Sequence, residues 1–136
     1  MIQRVSHTTV YVLDQDEAKK FYTEKLGFDV KQDVRMGDFR WLTVSPKGQD
    51  IEIVLMRIAA SPMMEEATAK TIRDLVAKGA FGAGVLETDD CKATYEKLKA
   101  AGVEFAAPPA ERPYGIEAVL KDNSGNWFSV VERPKK

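Results

Sequence analysis

The residues best equipped for chemistry in this chain are its single histidine, His7, in SHTTVYVL, and Glu52, in IEIVLM. Each stands inside an apolar, β-branched run that reads as a strand. Strands alternate faces, so His7, Thr9 and Tyr11 form one set, opposite Thr8, Val10 and Val12. In the other run Glu52, Val54 and Met56 lie opposite the greasier Ile51, Ile53 and Leu55. With each greasy set packed against a helix, His7 and Glu52 share the remaining, polar-studded face. A neutral imidazole and a carboxylate from different strands are ordinary ligands for a divalent cation, although a protein-held metal normally takes three or four. Three uses of His7 stand open: contact with a ligand in a cleft without metal, half of an incomplete metal site, or a hydrogen-bonded structural residue. A carboxylate inside an apolar strand is costly unless paired or wet, so Glu52 is expected to face water, a ligand or a cation.

The elements that must position these residues come from an internal repeat. HTTVYVLDQDEAKKFYTEKLGF (7–28) lies over GAGVLETDDCKATYEKLKAAGV (82–103), matching Asp14 with Asp89, Ala18 with Ala93 and Gly27 with Gly102. In each copy an apolar run leads into a helix start and ends on a glycine. Asp14 is an N-cap with Glu17 three residues on, and Gly27 and Gly102 supply the C′ position. Extended segments follow both helices, with hairpin signals at PKG and NSG, so each half reads as βαβββ. The expected fold is therefore α+β: one domain over 1–136, built of modules at about 1–60 and 80–136. A helical segment over 61–79, starting at Ser61-Pro62, joins them. Met63 and Met64 within it are expected to be packing residues or a lid edge.

Aligning Gly48 with Gly125 places Arg40 over Glu117 and Glu52 over Ser129, while the first strands place His7 over Gly82. Arg40 and Glu117 are expected either to pair or grip a polar ligand across the pseudo-twofold, or to lie on a solvated face. A one-residue change of register decides which face Arg40 takes. Tyr11, Phe39, Trp41, Tyr114 and Trp127 are candidate walls for a flat ligand, with Tyr114 at the cleft edge after the PPAERP loop. Glu52 and Glu117 are candidate bases, since a carboxylate in an apolar cleft can have a raised pKa. Cys91, flanked by acidic residues, is expected to be an inert thiol.

Twenty basic and 21 acidic side chains nearly cancel, which argues against a nucleic-acid or membrane-surface partner. The start MIQRVSHTTV lacks signal-peptide character and no run approaches the ~20 apolar residues that span a bilayer, so a cytoplasmic location is expected. One cysteine cannot form an internal disulfide.

With HTTVYVLDQDEAKKFYTEKLGF, IEIVLM, the TDD-initiated second helix ending in AAGV, and YGIEAVLKDNSGNWFSV, the chain resembles the vicinal oxygen chelate superfamily. This is the glyoxalase, extradiol dioxygenase and bleomycin-resistance group. The resemblance implies two modules forming a curved sheet around a cleft, often completed by a homodimer, and a small-molecule ligand or substrate. It also implies four metal-ligand positions on the first and last strands of each module. These fall on His7 and Glu52, which match, and on Gly82 and Ser129, which cannot serve. The expectation is capture of a small organic molecule without a complete metal site. Two alternatives remain: a divalent-metal glyoxalase-like lyase or isomerase using His7 and Glu52, and a metal-free acid–base enzyme.

Overall fold

The computed structural model describes residues 1–134. The first module comprises β1 (His7–Val12), α1 (Gln15–Lys20), β2 (Asp29–Met36), β3 (Phe39–Ser45) and β4 (Glu52–Arg57). After α2 (Glu66–Ala77), the second comprises β5 (Gly82–Glu87), α3 (Cys91–Ala100), β6 (Glu104–Arg112), β7 (Gly115–Lys121) and β8 (Trp127–Glu132). Each module folds its own four-stranded mixed sheet, ordered β1-β4-β3-β2 and β5-β8-β7-β6. The first strand of each runs parallel to the last, and the other pairings are antiparallel. This is the α+β, two-module architecture that the repeat predicts.

Local chemistry sets the helix ends. The Asp14 carboxylate accepts from the Glu17 N–H, starting α1, which runs on into a π-helical turn at Phe21–Lys25. In the second module the cap is Asp90, accepting from the Ala93 N–H, one residue beyond the expected Asp89. The connecting helix also begins later than Ser61-Pro62 suggests. Ser61 and Met64 exchange backbone hydrogen bonds across a tight turn, and the Ser61 hydroxyl accepts from the Met63 N–H, so that serine organises a turn instead of capping a helix. The helix itself occupies Glu66–Ala77.

The helix-facing sides of both sheets feed one core. Val10, Val12, Leu42, Val44 and Leu55 pack with Phe21 and Tyr22, and with Leu120, Phe128 and Val130 of the second module. Cys91 is buried in its own helix, its thiol donating to the Val130 carbonyl at 3.5 Å, and burial pushes its pKa up. A polar knot joins the modules. One oxygen of the buried Asp122 carboxylate accepts from the N–H groups of Ser124, Gly125 and Asn126. Its other oxygen accepts from the Tyr22 hydroxyl at 2.7 Å and from the Asn126 side chain. Asn126 also donates to the Tyr11 carbonyl, and the Ser124 hydroxyl accepts from the Leu13 N–H. Gly125 closes this turn against the end of α2, where a Cβ would collide with the Val76 carbonyl.

Arg40 belongs to this buried side as well, contrary to the expected cleft position. It shares a face of β3 with Leu42 and Val44, which pack in the core beneath α1, so alternation carries its guanidinium there too. Only 8% exposed, it donates to Asp33 at 2.8 Å and to Asp16 at 2.6 Å. Asp33 also takes Lys19 at 2.8 Å. Arg40 and Glu117 therefore do not pair. At the other end of the chain Arg133 holds Glu87 at 2.7 Å, which tethers the segment after β8; Lys135 and Lys136 lie outside the described residues.

Two stability predictions follow from these networks. Tyr22→Phe removes a hydrogen bond to a buried carboxylate and should lower unfolding stability by about 1–3 kcal/mol, read as a lower urea midpoint at unchanged m-value. Hydrogen bonds from Arg40, then Lys19, hold the Asp33 carboxyl well below the usual carboxylate range. A depressed folded-state pKa stabilises the fold above the unfolded value, near pH 4, and that contribution is lost as pH falls through the folded one. Asp33→Asn should therefore flatten the fall of unfolding midpoint below about pH 4 while lowering stability at neutral pH.

Candidate functional site

The sheet faces turned away from the helices carry the candidate residues. His7 and Glu52 are direct partners across the β1–β4 ladder, with His7 Nε2 and Glu52 Oε2 3.6 Å apart. Glu52 is not left bare, since the Thr43 hydroxyl donates to its other oxygen at 2.6 Å. The Ser6 hydroxyl lies 2.8 Å from His7 Nδ1. Beside them runs an aromatic row on the same face. The His7 ring lies 5.8 Å from that of Trp41, and Trp41 lies 6.5 Å from Phe39. The Trp41 indole donates to Gln32 at 2.7 Å, fixing its tilt from the neighbouring strand. Val34 and Met36 of β2, partners of Trp41 and Phe39, extend this face and stand largely in solvent.

The second module presents a different pair at the matching place. Opposite Gly82 stands Trp127, whereas Ser129 stands opposite Val85. Trp127 thus faces Gly82 as Glu52 faces His7, which shifts the expected Glu52–Ser129 equivalence by two residues. Gly48 stands four residues before β4 and Gly125 two residues before β8, so aligning the glycines misplaced the strands beyond by two. Gly82 is what admits the indole. A Cβ there would lie 2.7 Å from two of its ring atoms, a separation only glycine avoids.

Glu117 lies on this same face of β7, where the hairpin register matches it with Trp41 of the first module instead of Arg40. Its carboxylate accepts from the Tyr114 hydroxyl at 2.7 Å, and Arg112 lies at 3.8 Å. The bond from Tyr114, then one from Ser129, holds the Glu117 pKa below its usual value, and the same Tyr114–Glu117 bond raises that of the phenol. That environment opposes the raised pKa expected of Glu117 as a base and favours its ionised, hydrogen-bond-accepting form.

Tyr11 sits at the far end of β1 from His7, packed with Met64 and Ile72 in a satellite cluster under α2. It borders a cavity of about 620 Å³ between the sheet end and the turn at Ala59–Met64. Met64 packs while Met63 stands in solvent, so the two methionines divide the expected roles of filler and edge. Sequence reasoning missed Thr43, Gln32 and this cavity. The cross-strand partners follow from register, and the Pro-Met-Met turn was the signal for the cavity.

As to a metal, among the described residues no group of three or more His, Cys, Asp or Glu side chains converges. His7 and Glu52 supply two donors, and the second module supplies a glycine, an indole and a hydroxyl at Ser129. That set does not fit the four-ligand frame implied by the resemblance.

The family model described as Glyoxalase/Bleomycin resistance protein/Dioxygenase superfamily matches residues 4–130. The chain belongs to this superfamily. Among solved structures it is 52% identical to UcmS2, with a TM-score of 0.91 over 97% of this chain and 99% of that one. It is 32% identical to TnmS3, an antibiotic binding protein from Streptomyces sp. CB03234, with a TM-score of 0.78 over 98% of each chain. It is also 37% identical to the uncharacterized protein YetH of Bacillus subtilis (strain 168), across 97% of this chain and 100% of that protein. No helix among the described residues is long and apolar enough to cross a membrane.

Gly82→Ala should push the Trp127 indole off its seat. In a Trp41→Phe background, where Trp127 is the remaining fluorophore, the emission maximum should move to longer wavelength and iodide quenching should increase.

Proposed function

We propose that this protein binds a flat, largely apolar organic molecule of antibiotic type by stoichiometric capture, with no metal in the contact. The observation that carries the reading is the pair of aromatic surfaces, His7–Trp41–Phe39 on one module and Trp127 over Gly82 on the other. Aromatic walls with a few fixed polar groups are the usual make-up of a small-molecule site. Here Glu52, Gln32 and the Tyr114–Glu117 pair would supply those groups, with Glu52 and Thr43 orienting a donor on the ligand. The likeness to an antibiotic binding protein over nearly the whole of both chains supports the same class of ligand.

The reading includes a homodimer. Val34, Met36 and Phe39 on the first module and Val85 on the second leave apolar side chains in solvent on the aromatic faces, Val85 at 64% exposure. A second copy laid across them would cover these residues and close the cleft around the ligand. It also includes a cytoplasmic location, where such a protein would intercept a compound after entry.

The test is a thermal-shift and calorimetric screen against aromatic antibiotics, bleomycin and an anthracycline among them, with light scattering for mass. A bound compound at a hundred times its Kd should stabilise the fold by about 2.7 kcal/mol. Trp127→Ala and Trp41→Ala should each weaken binding about tenfold or more, corresponding to a lost stacking partner. Chelator should leave binding unchanged. Binding that disappears with chelator and with His7→Ala, or a screen in which no compound shifts the protein, would defeat the reading.

A further inference from the structure

The cavity beside Tyr11 lies at the far end of the aromatic face, and Phe39 borders both. His7 and Tyr11 are four residues apart on one strand, roughly 13 Å at the usual rise. The cavity's volume of about 620 Å³ lies within the range of drug-sized sites. Tyr11, Phe39 and Met56 line it from the sheet, and Pro62 and Met63 line it from the turn. Met63 is 94% exposed and its turn is closed by the bond from its own N–H to Ser61, which leaves an unbranched, polarizable side chain free to adapt at the mouth.

The charged residues lining it are Arg40, Arg57 and Asp38, and the Arg40 guanidinium is already taken by Asp16 and Asp33. Arg4, Arg40, Arg73, Arg112 and Arg133 each hold a carboxylate, while Arg57 has none among the described residues. Asp38 belongs to the solvated turn between β2 and β3. A guanidinium is more weakly hydrated than a carboxylate and offers a planar fork to an acid group, so Arg57 is the charge that a ligand can desolvate at least cost. We propose that this cavity is a second binding site, for a small amphipathic anion whose apolar body rests on Phe39, Met56 and Met63 and whose acid group is held by Arg57. Asp38, which also lines the cavity, repels that acid and orients the molecule with its charge toward Arg57. Phe39 is shared with the proposed antibiotic face, while Arg57, Asp38 and Met63 belong to the cavity alone.

Fluorescence titration of the intact protein with 8-anilinonaphthalene-1-sulfonate and with its uncharged relative N-phenyl-1-naphthylamine tests this. The sulfonate should bind at one site. Arg57→Gln should weaken it about tenfold, the value of a hydrogen bond to a charged group, while changing the neutral dye by less than about twofold. Asp38→Asn should tighten the sulfonate, and Trp127→Ala should leave both dyes as they were. The proposal is overturned by absence of sulfonate binding, by Arg57→Gln affecting neither dye or both equally, by Asp38→Asn failing to tighten the sulfonate, or by Trp127→Ala weakening it as much as Arg57→Gln does. Loss of the cavity site with Trp127-dependent antibiotic binding intact would remove this inference alone, and the reverse result would remove only the capture reading.

Discussion

Asp122 is the side chain on which the relation between the two modules rests. A buried carboxylate is tolerable only when its lone pairs are filled, and here they are filled from both halves of the chain: three N–H groups and an amide from its own loop, and the Tyr22 hydroxyl from the first module's helix. The same loop sends Asn126 to the Tyr11 carbonyl and Ser124 to the Leu13 N–H, so both ends of the link meet the first module's strand and helix at one point. Burial and the facing carboxylate together raise the Tyr22 pKa well above its ordinary value, which keeps the donor a phenol.

That link separates structural polarity from polarity left for ligands. On the helix side, Arg40, Asp33, Asp16 and Lys19 satisfy one another, as do Asp122, Tyr22 and Asn126. On the opposite side the polar groups are sparser and set among rings. Glu52 has Thr43 on one oxygen, Trp41 has Gln32, and Glu117 has Tyr114. The repeat makes the scaffold twice and the face once, because the elements that bury apolar area recur while the positions that meet a ligand have diverged.

Much of the scaffold was legible from residues alone. Asp14 with Glu17, Gly27 and Gly102, and the alternation around Val10, Ile53 and Leu55 declared the helices and the buried faces. The sharing of one face by His7 and Glu52 was legible for the same reason. What misled was register. The two turn glycines sit at different distances from the strands that follow, which put Ser129 in the place that Trp127 occupies, and the turn formed by Ser61 and Met64 resembled a helix start until its hydrogen bonds were seen. Arg40 was the hardest case, since an arginine on the helix side becomes intelligible only with Asp16 and Asp33, which approach it from another helix and another strand.

The seat of Trp127 on Gly82 also bears on how such a fold changes trade. An imidazole at position 82 has no room while the indole lies there, and a carboxylate at 127 would leave the glycine facing a gap that nothing fills. The two positions are therefore coupled: each substitution toward a metal-binding pair is unfavourable alone and tolerable only in company with the other. A lineage holding this glycine and this tryptophan is separated from metal chemistry by a valley two steps wide, even though half the ligands stand ready on the first module.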